Sequence, residues 1–77
     1  MVIADTFIHG NLDFQIVGTG NTVRVWFRQR GEMVPWEIGH SVEVKHPHDL
    51  SETVGFAKDF VTGKIDIEDY HSLVYSR

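Results

Sequence analysis

Residues 2–46 alternate between apolar and polar positions with a period of two, broken at Gly10-Asn11, Gly18-Thr19-Gly20-Asn21 and Gly31-Glu32. Gly and Asn tolerate positive φ, so such breaks between β-branched and aromatic runs predict hairpins. A two-residue loop at Gly10-Asn11 sets Phe7 opposite Phe14. One at Gly20-Asn21 sets Phe14 opposite Phe27 and Ile16 opposite Val25. A loop at Gly31-Glu32 sets Phe27 opposite Trp36 and Val25 opposite Ile38. Residues opposite one another share a face. Phe7, Leu12, Phe14, Ile16, Val23, Val25, Phe27, Val34, Trp36 and Ile38 then form one apolar side, with Phe14, Phe27 and Trp36 as a cross-strand aromatic row. A three-residue turn, Gly39-His40-Ser41, brings Val42 and Val44 onto it. The opposite side is mixed and includes Ile8, Asp13, Gln15, Val17, Arg24, Trp26, Arg28, Arg30, Met33, Glu37 and Glu43, as expected of a face left open to solvent.

After Pro47 the period changes to 3.6. Leu50, Val54, Ala57 and Val61 lie on one helical stripe, widened by Phe56 and Phe60. Asp49 followed by Glu52 has the spacing of a capping box, and Gly63 suits the position just past a helix end. Gly55 sits inside this helix, where close approach to the sheet would explain it. Farther on, Asp66 and Asp69 mark a helix start, with Ile67, Tyr70 and Val74 on one face; the alternative is a last strand using Ile65 and Ile67. The expected fold is a single α+β domain over residues 1–77. An antiparallel four- to five-stranded meander (about 2–46) is packed on one face by a helix over about 50–62 and a short one over about 67–75.

Seventy-seven residues without cysteine must be held by the core alone. That core has little volume for a buried pocket of ~300 Å³ or more, which argues against an enzyme. The N-terminal run Met1–Ala4 meets Asp5 with no basic segment before it, and no apolar run spans a bilayer. A cytoplasmic protein that neither enters nor is exported across a membrane is expected. Charge is uneven. The net charge is −4, and residues 49–69 hold six acids and two lysines. Glu52, Asp59, Asp66, Glu68 and Asp69 make this an acidic surface, while the arginines lie on the open sheet face.

Arg24, Trp26, Arg28 and Arg30 alternate along one strand, with Met33 beyond. Trp and Arg are the residue types that anchor protein interfaces. A basic strand with an interleaved aromatic also suits single-stranded nucleic acid. His46-Pro47-His48 matches no metal motif, and no nucleophile–base spacing or phosphate loop is present, so no cofactor or metal is expected. Small size, acidity and missing catalytic groups are shared with stand-alone accessory and inhibitor proteins of bacteria and their phages, which act by binding a larger assembly. The expected function is therefore non-catalytic binding of a protein partner through Arg24, Trp26, Arg28, Arg30 and Met33. Nucleic acid is the alternative partner, and a homodimer through the sheet edges is compatible with this layout.

Overall fold

The computed structural model of the chain describes residues 2–31, 33–44 and 49–75. Its elements are β1 (Val2–His9), β2 (Leu12–Thr19), β3 (Thr22–Gln29), β4 (Glu37–Glu43), α1 (Leu50–Val61) and α2 (Ile67–Tyr75). The four strands form one antiparallel sheet in chain order, with β1 and β4 at its edges. The first two hairpins have the register that their turns predict: Phe7 faces Phe14, Phe14 faces Phe27, and Ile16 faces Val25. Gly10 and Gly20 hold φ of 62° in those turns, a conformation in which a Cβ would be strained.

The third hairpin departs from expectation. Its turn is Arg30-Gly31, and residues 33–36 are not strand. Pro35 has no N–H to give a ladder, so it delays the start of β4 to Glu37. Phe27 faces Glu37 rather than Trp36, and Val25 faces His40 rather than Ile38. Trp26 faces Ile38, so Gly39 is the extra residue of a β-bulge. The expected turn at Gly39-His40-Ser41 is absent, because β4 runs straight through it.

The bulge has a large effect. Before Gly39 the even-numbered residues share the face of Trp26; after it they share the face of Val25. Ile38, half exposed, lies on the open side, whereas Val42 and Val44 enter the core. The predicted apolar face therefore loses Ile38 and Trp36, and the predicted aromatic row stops at Phe27. Phe27 itself is only partly buried and packs on bare backbone, for a Cβ on Gly39 would come 3.1 Å from its ring.

The core is mostly aliphatic: Ile16, Val23, Val25, Val42 and Val44 from the sheet side meet Leu50, Val54 and Ala57 of α1 and Tyr70 and Val74 of α2. Phe7 and Phe14 stack at its border with centroids 5.4 Å apart. Close approach of α1 to the sheet falls at Gly18 of β2, not at Gly55. Around Gly18 an added Cβ would meet Leu50 and Val54, while around Gly55 it would meet nothing within 4 Å.

Asp49 is the N-cap of α1, but its side chain makes no capping hydrogen bond, so the half of the predicted capping box that it would supply is not formed. The C-terminus is closed as expected. The N–H of Gly63 donates to the Phe60 carbonyl and that of Lys64 to the Asp59 carbonyl, with Gly63 at φ 82°, the pattern of a Schellman motif. The final stretch is helix. Asp66 Oδ1 accepts the Asp69 N–H at 2.8 Å, which caps α2.

Candidate functional site

Two helices cover one face of the sheet, and the other face is open. Its middle is Trp26 on β3. The strand period puts Arg24 and Arg28 two residues to either side on the same face. Across the ladders Trp26 meets Gln15 on β2 and Ile38 on β4. Arg24 faces Val17 and Ser41. Trp26, Arg24 and Arg28 are all partly buried. Ile38 is 51% exposed, so apolar surface remains in water beside the tryptophan, while the exposed Ile8 lies apart from it on β1, opposite Asp13.

Arg28 touches both a carboxylate and a ring. Its Nε lies 3.5 Å from Asp13 Oδ2, its cross-strand partner. Its guanidinium carbon lies 4.3 Å from the centroid of the Trp36 ring, a cation–π distance. Nε is buried and makes no hydrogen bond, because the Asp13 contact is an ion pair longer than hydrogen-bond geometry. Trp36 thus stands beside Arg28, a role that pairing it with Phe27 hides. Pro35 and Gly39 are the residues that carry the signal.

Arg30 lies in the turn after β3 rather than on the strand, and its backbone N–H donates to the Asn11 carbonyl at 2.9 Å. Met33 is 97% exposed and outside the strands. At this end of the sheet a groove of about 440 Å³ opens at the surface. Leu12, Phe27, Val34, Pro35 and Trp36 give it apolar walls, and Arg28, Gln29 and Glu37 complete the lining. It leaves the core intact.

The acidic residues do not converge. Glu52 is on the first turn of α1. Asp59 is near its end and partly buried, and its carbonyl closes the Schellman motif. Asp66 caps α2, while Glu68 and Asp69 sit in its first turn, where the helix dipole favours negative charge. Among the described residues no group of three His, Asp or Glu could hold a metal ion. His46 and His48 lie outside the described residues. No helix is long and apolar enough to cross a membrane among the described residues.

One polar pair under the helices is absent from the sequence-based picture. His40 of β4 and Tyr70 of α2 lie edge to face with ring centroids 5.3 Å apart. His40 Nε2 and Tyr70 Oη are both buried without a hydrogen-bond partner. Burial, and then the charge on His71, holds the His40 pKa below the usual histidine value. Burial first, and then Tyr75, pushes the Tyr70 hydroxyl up to about 12. Phe60 stacks on Tyr70 at 4.9 Å and completes the contact between the helices.

With this geometry in place, comparison with known proteins is short. The chain matches the sequence model of a family described as the Mycobacterium phage L5 gene 74 protein over residues 5–76. No curated protein matches it, and no solved structure does.

Proposed function

The chain belongs to the Mycobacterium phage L5 gene 74 protein family, and we propose that this small phage-type α+β protein acts without catalysis, by presenting the open face of its sheet to a larger protein. The observation that carries this reading is the pairing of Trp26 with Ile38 on the uncovered face, between Arg24 and Arg28. Interface anchors are aromatic and arginine side chains held in place before the partner arrives. Trp26 is held by two neighbouring strands, and Arg28 by Asp13 and Trp36. Ordering such groups in advance lowers the entropy lost on binding.

Single-stranded nucleic acid is the rival occupant. Two arginines favour it, since neither Arg24 nor Arg30 reaches a carboxylate among the described residues. Arg28 weighs against it. Its charge is partly met by Asp13, and it covers one side of the Trp36 ring, which a stacking base would need.

The test is capture of a partner by tagged protein from cells in which the chain is made. Trp26→Ala and Ile38→Asp should weaken that capture while the fold persists, by ~2 kcal/mol for an anchor residue. Equal capture by both folded variants would overturn the reading. Loss of the captured partner on nuclease treatment would transfer the face to nucleic acid.

A further inference from the structure

We infer that two copies of the chain join through the free edge of β1, antiparallel about a two-fold axis at Thr6, so that two open faces become one surface. The two edges of the sheet differ. β4 carries the Gly39 bulge and the exposed Glu37 and Glu43, features that stop a further strand from pairing. β1 runs for eight residues in unbroken register with β2, has no proline, and holds Asp5 as its one carboxylate. A charge on the covered side of an edge strand guards it only while unmatched, and Lys58 Nζ of α1 lies 3.1 Å from Asp5 Oδ2.

Backbone geometry fixes what this edge offers. Gly10-Asn11 is a two-residue turn, so His9 and Leu12 exchange both hydrogen bonds, and by alternation so do Phe7 with Phe14 and Asp5 with Ile16. Ala4, Thr6 and Ile8 therefore aim their N–H and C=O groups at the free edge. A two-fold axis perpendicular to the sheet pairs even residues with even and odd with odd, which keeps all the helices on one side. An axis at Asp5 sets two carboxylates face to face, which is unfavourable. An axis at Thr6 sets Thr6 against Thr6, Ala4 against Ile8, and Asp5 against Phe7 of the second copy. Lys58 lies over the Phe7 ring of its own chain at 5.0 Å. Each Asp5 thus meets its own Lys58 and that of the second copy. This crossed charge pairing selects a second copy over an unrelated strand.

Thr6 faces Gln15, and Gln15 faces Trp26. The axis therefore lies on the row of Trp26, and the two tryptophans stand ~24 Å apart on one side of a continuous sheet, at ~4.8 Å per strand. The dimer offers a partner two anchors, which extends the open-face reading without depending on it.

Sedimentation velocity of the whole chain should show a dimer at about 0.1 mM. Thr6→Pro removes an outward N–H and leaves the ladder between β1 and β2 intact, while Thr6→Lys sets two like charges together at the axis. Each should raise the dissociation constant about tenfold or more, and Lys58→Glu should raise it as well. The chain has no cysteine, so Thr6→Cys supplies a single thiol. At a hydrogen-bonded pair it meets its copy at the ~5.5 Å Cα separation that a disulfide spans. Mild oxidation should link Thr6→Cys into dimers and leave Ala4→Cys, which faces Ile8, unlinked. A monomer at that concentration, a dimer unchanged in folded Thr6→Pro or Lys58→Glu, or equal linking of both cysteine variants would overturn the inference. So would a dimer lost in Trp26→Ala but kept in Thr6→Pro, which moves self-association to the open face. A monomer that still captures its partner through Trp26 would leave the open-face reading standing.

Discussion

Gly18 of β2 and Leu50 of α1 are packed so closely that a Cβ on Gly18 would lie 2.8 Å from Leu50 Cδ2. Val54 blocks the same space at 3.1 Å, and Leu50 is buried, so neither side chain can swing into solvent. Gly18→Ala should therefore destabilise the fold by about 1–3 kcal/mol, the usual cost of overpacking. Gly55→Ala should do the reverse. It sits in α1 with nothing within 4 Å of the added methyl, so a gain of roughly 0.5–1 kcal/mol is expected. Urea melts of the two variants check both signs, and equal signs would place the close approach elsewhere.

The Arg28–Trp36 contact should be measurable as a coupling. Arg28→Ala, Trp36→Ala and the double variant form a cycle, and a cation–π pair near the surface predicts ~0.5–1 kcal/mol of interaction. Additive losses would mean that the two side chains do not support one another.

The helical lid should loosen from its capped end. Asp66→Ala removes the side-chain oxygen that accepts the Asp69 N–H, at a cost of about 1 kcal/mol. Amide exchange should quicken in α2 before it quickens in β3. Uniform acceleration across the chain would show that α2 does not open on its own.

Stability should bend at both ends of the pH scale. The His40 pKa is depressed in the fold, so below the unfolded value of about 6.5 the unfolded chain binds more protons. Stability is then full above that value and falls as the pH drops toward the folded pKa. Tyr70 is raised to about 12, so the unfolded chain loses its proton first, and stability falls between about 10 and that value. Denaturant midpoints of His40→Gln should lack the bend near neutrality, and those of Tyr70→Phe the alkaline one.

The first two hairpins were readable because each turn places one glycine at positive φ between strands of equal length. A fixed turn makes register a matter of counting. Arg24, Trp26 and Arg28 could be assigned to the open face for that reason. The third hairpin was not readable by counting, since Pro35 and the Gly39 bulge each change the number of residues per step. Counting therefore puts Trp36 and Ile38 on the wrong side and makes His40 a turn residue. The sequence cannot show that His40 meets Tyr70, because that contact depends on how α2 returns over the sheet. Phe27→Ala illustrates the difference. A centrally placed ring would cost ~3–5 kcal/mol, whereas this ring is partly exposed over Gly39 and should cost less than that range.

The bulge at Gly39 makes spacing, rather than side-chain identity, the control over what this sheet displays. Deleting one residue between Trp36 and Gly39 would exchange outward and inward positions without altering a single apolar residue. Among family members, a one-residue length change in this stretch should therefore alter partner choice more than a conservative replacement of Trp36 does. An insertion paired with a matching deletion beyond Gly39 should restore it, a frame-like behaviour that comparison of natural variants can reveal.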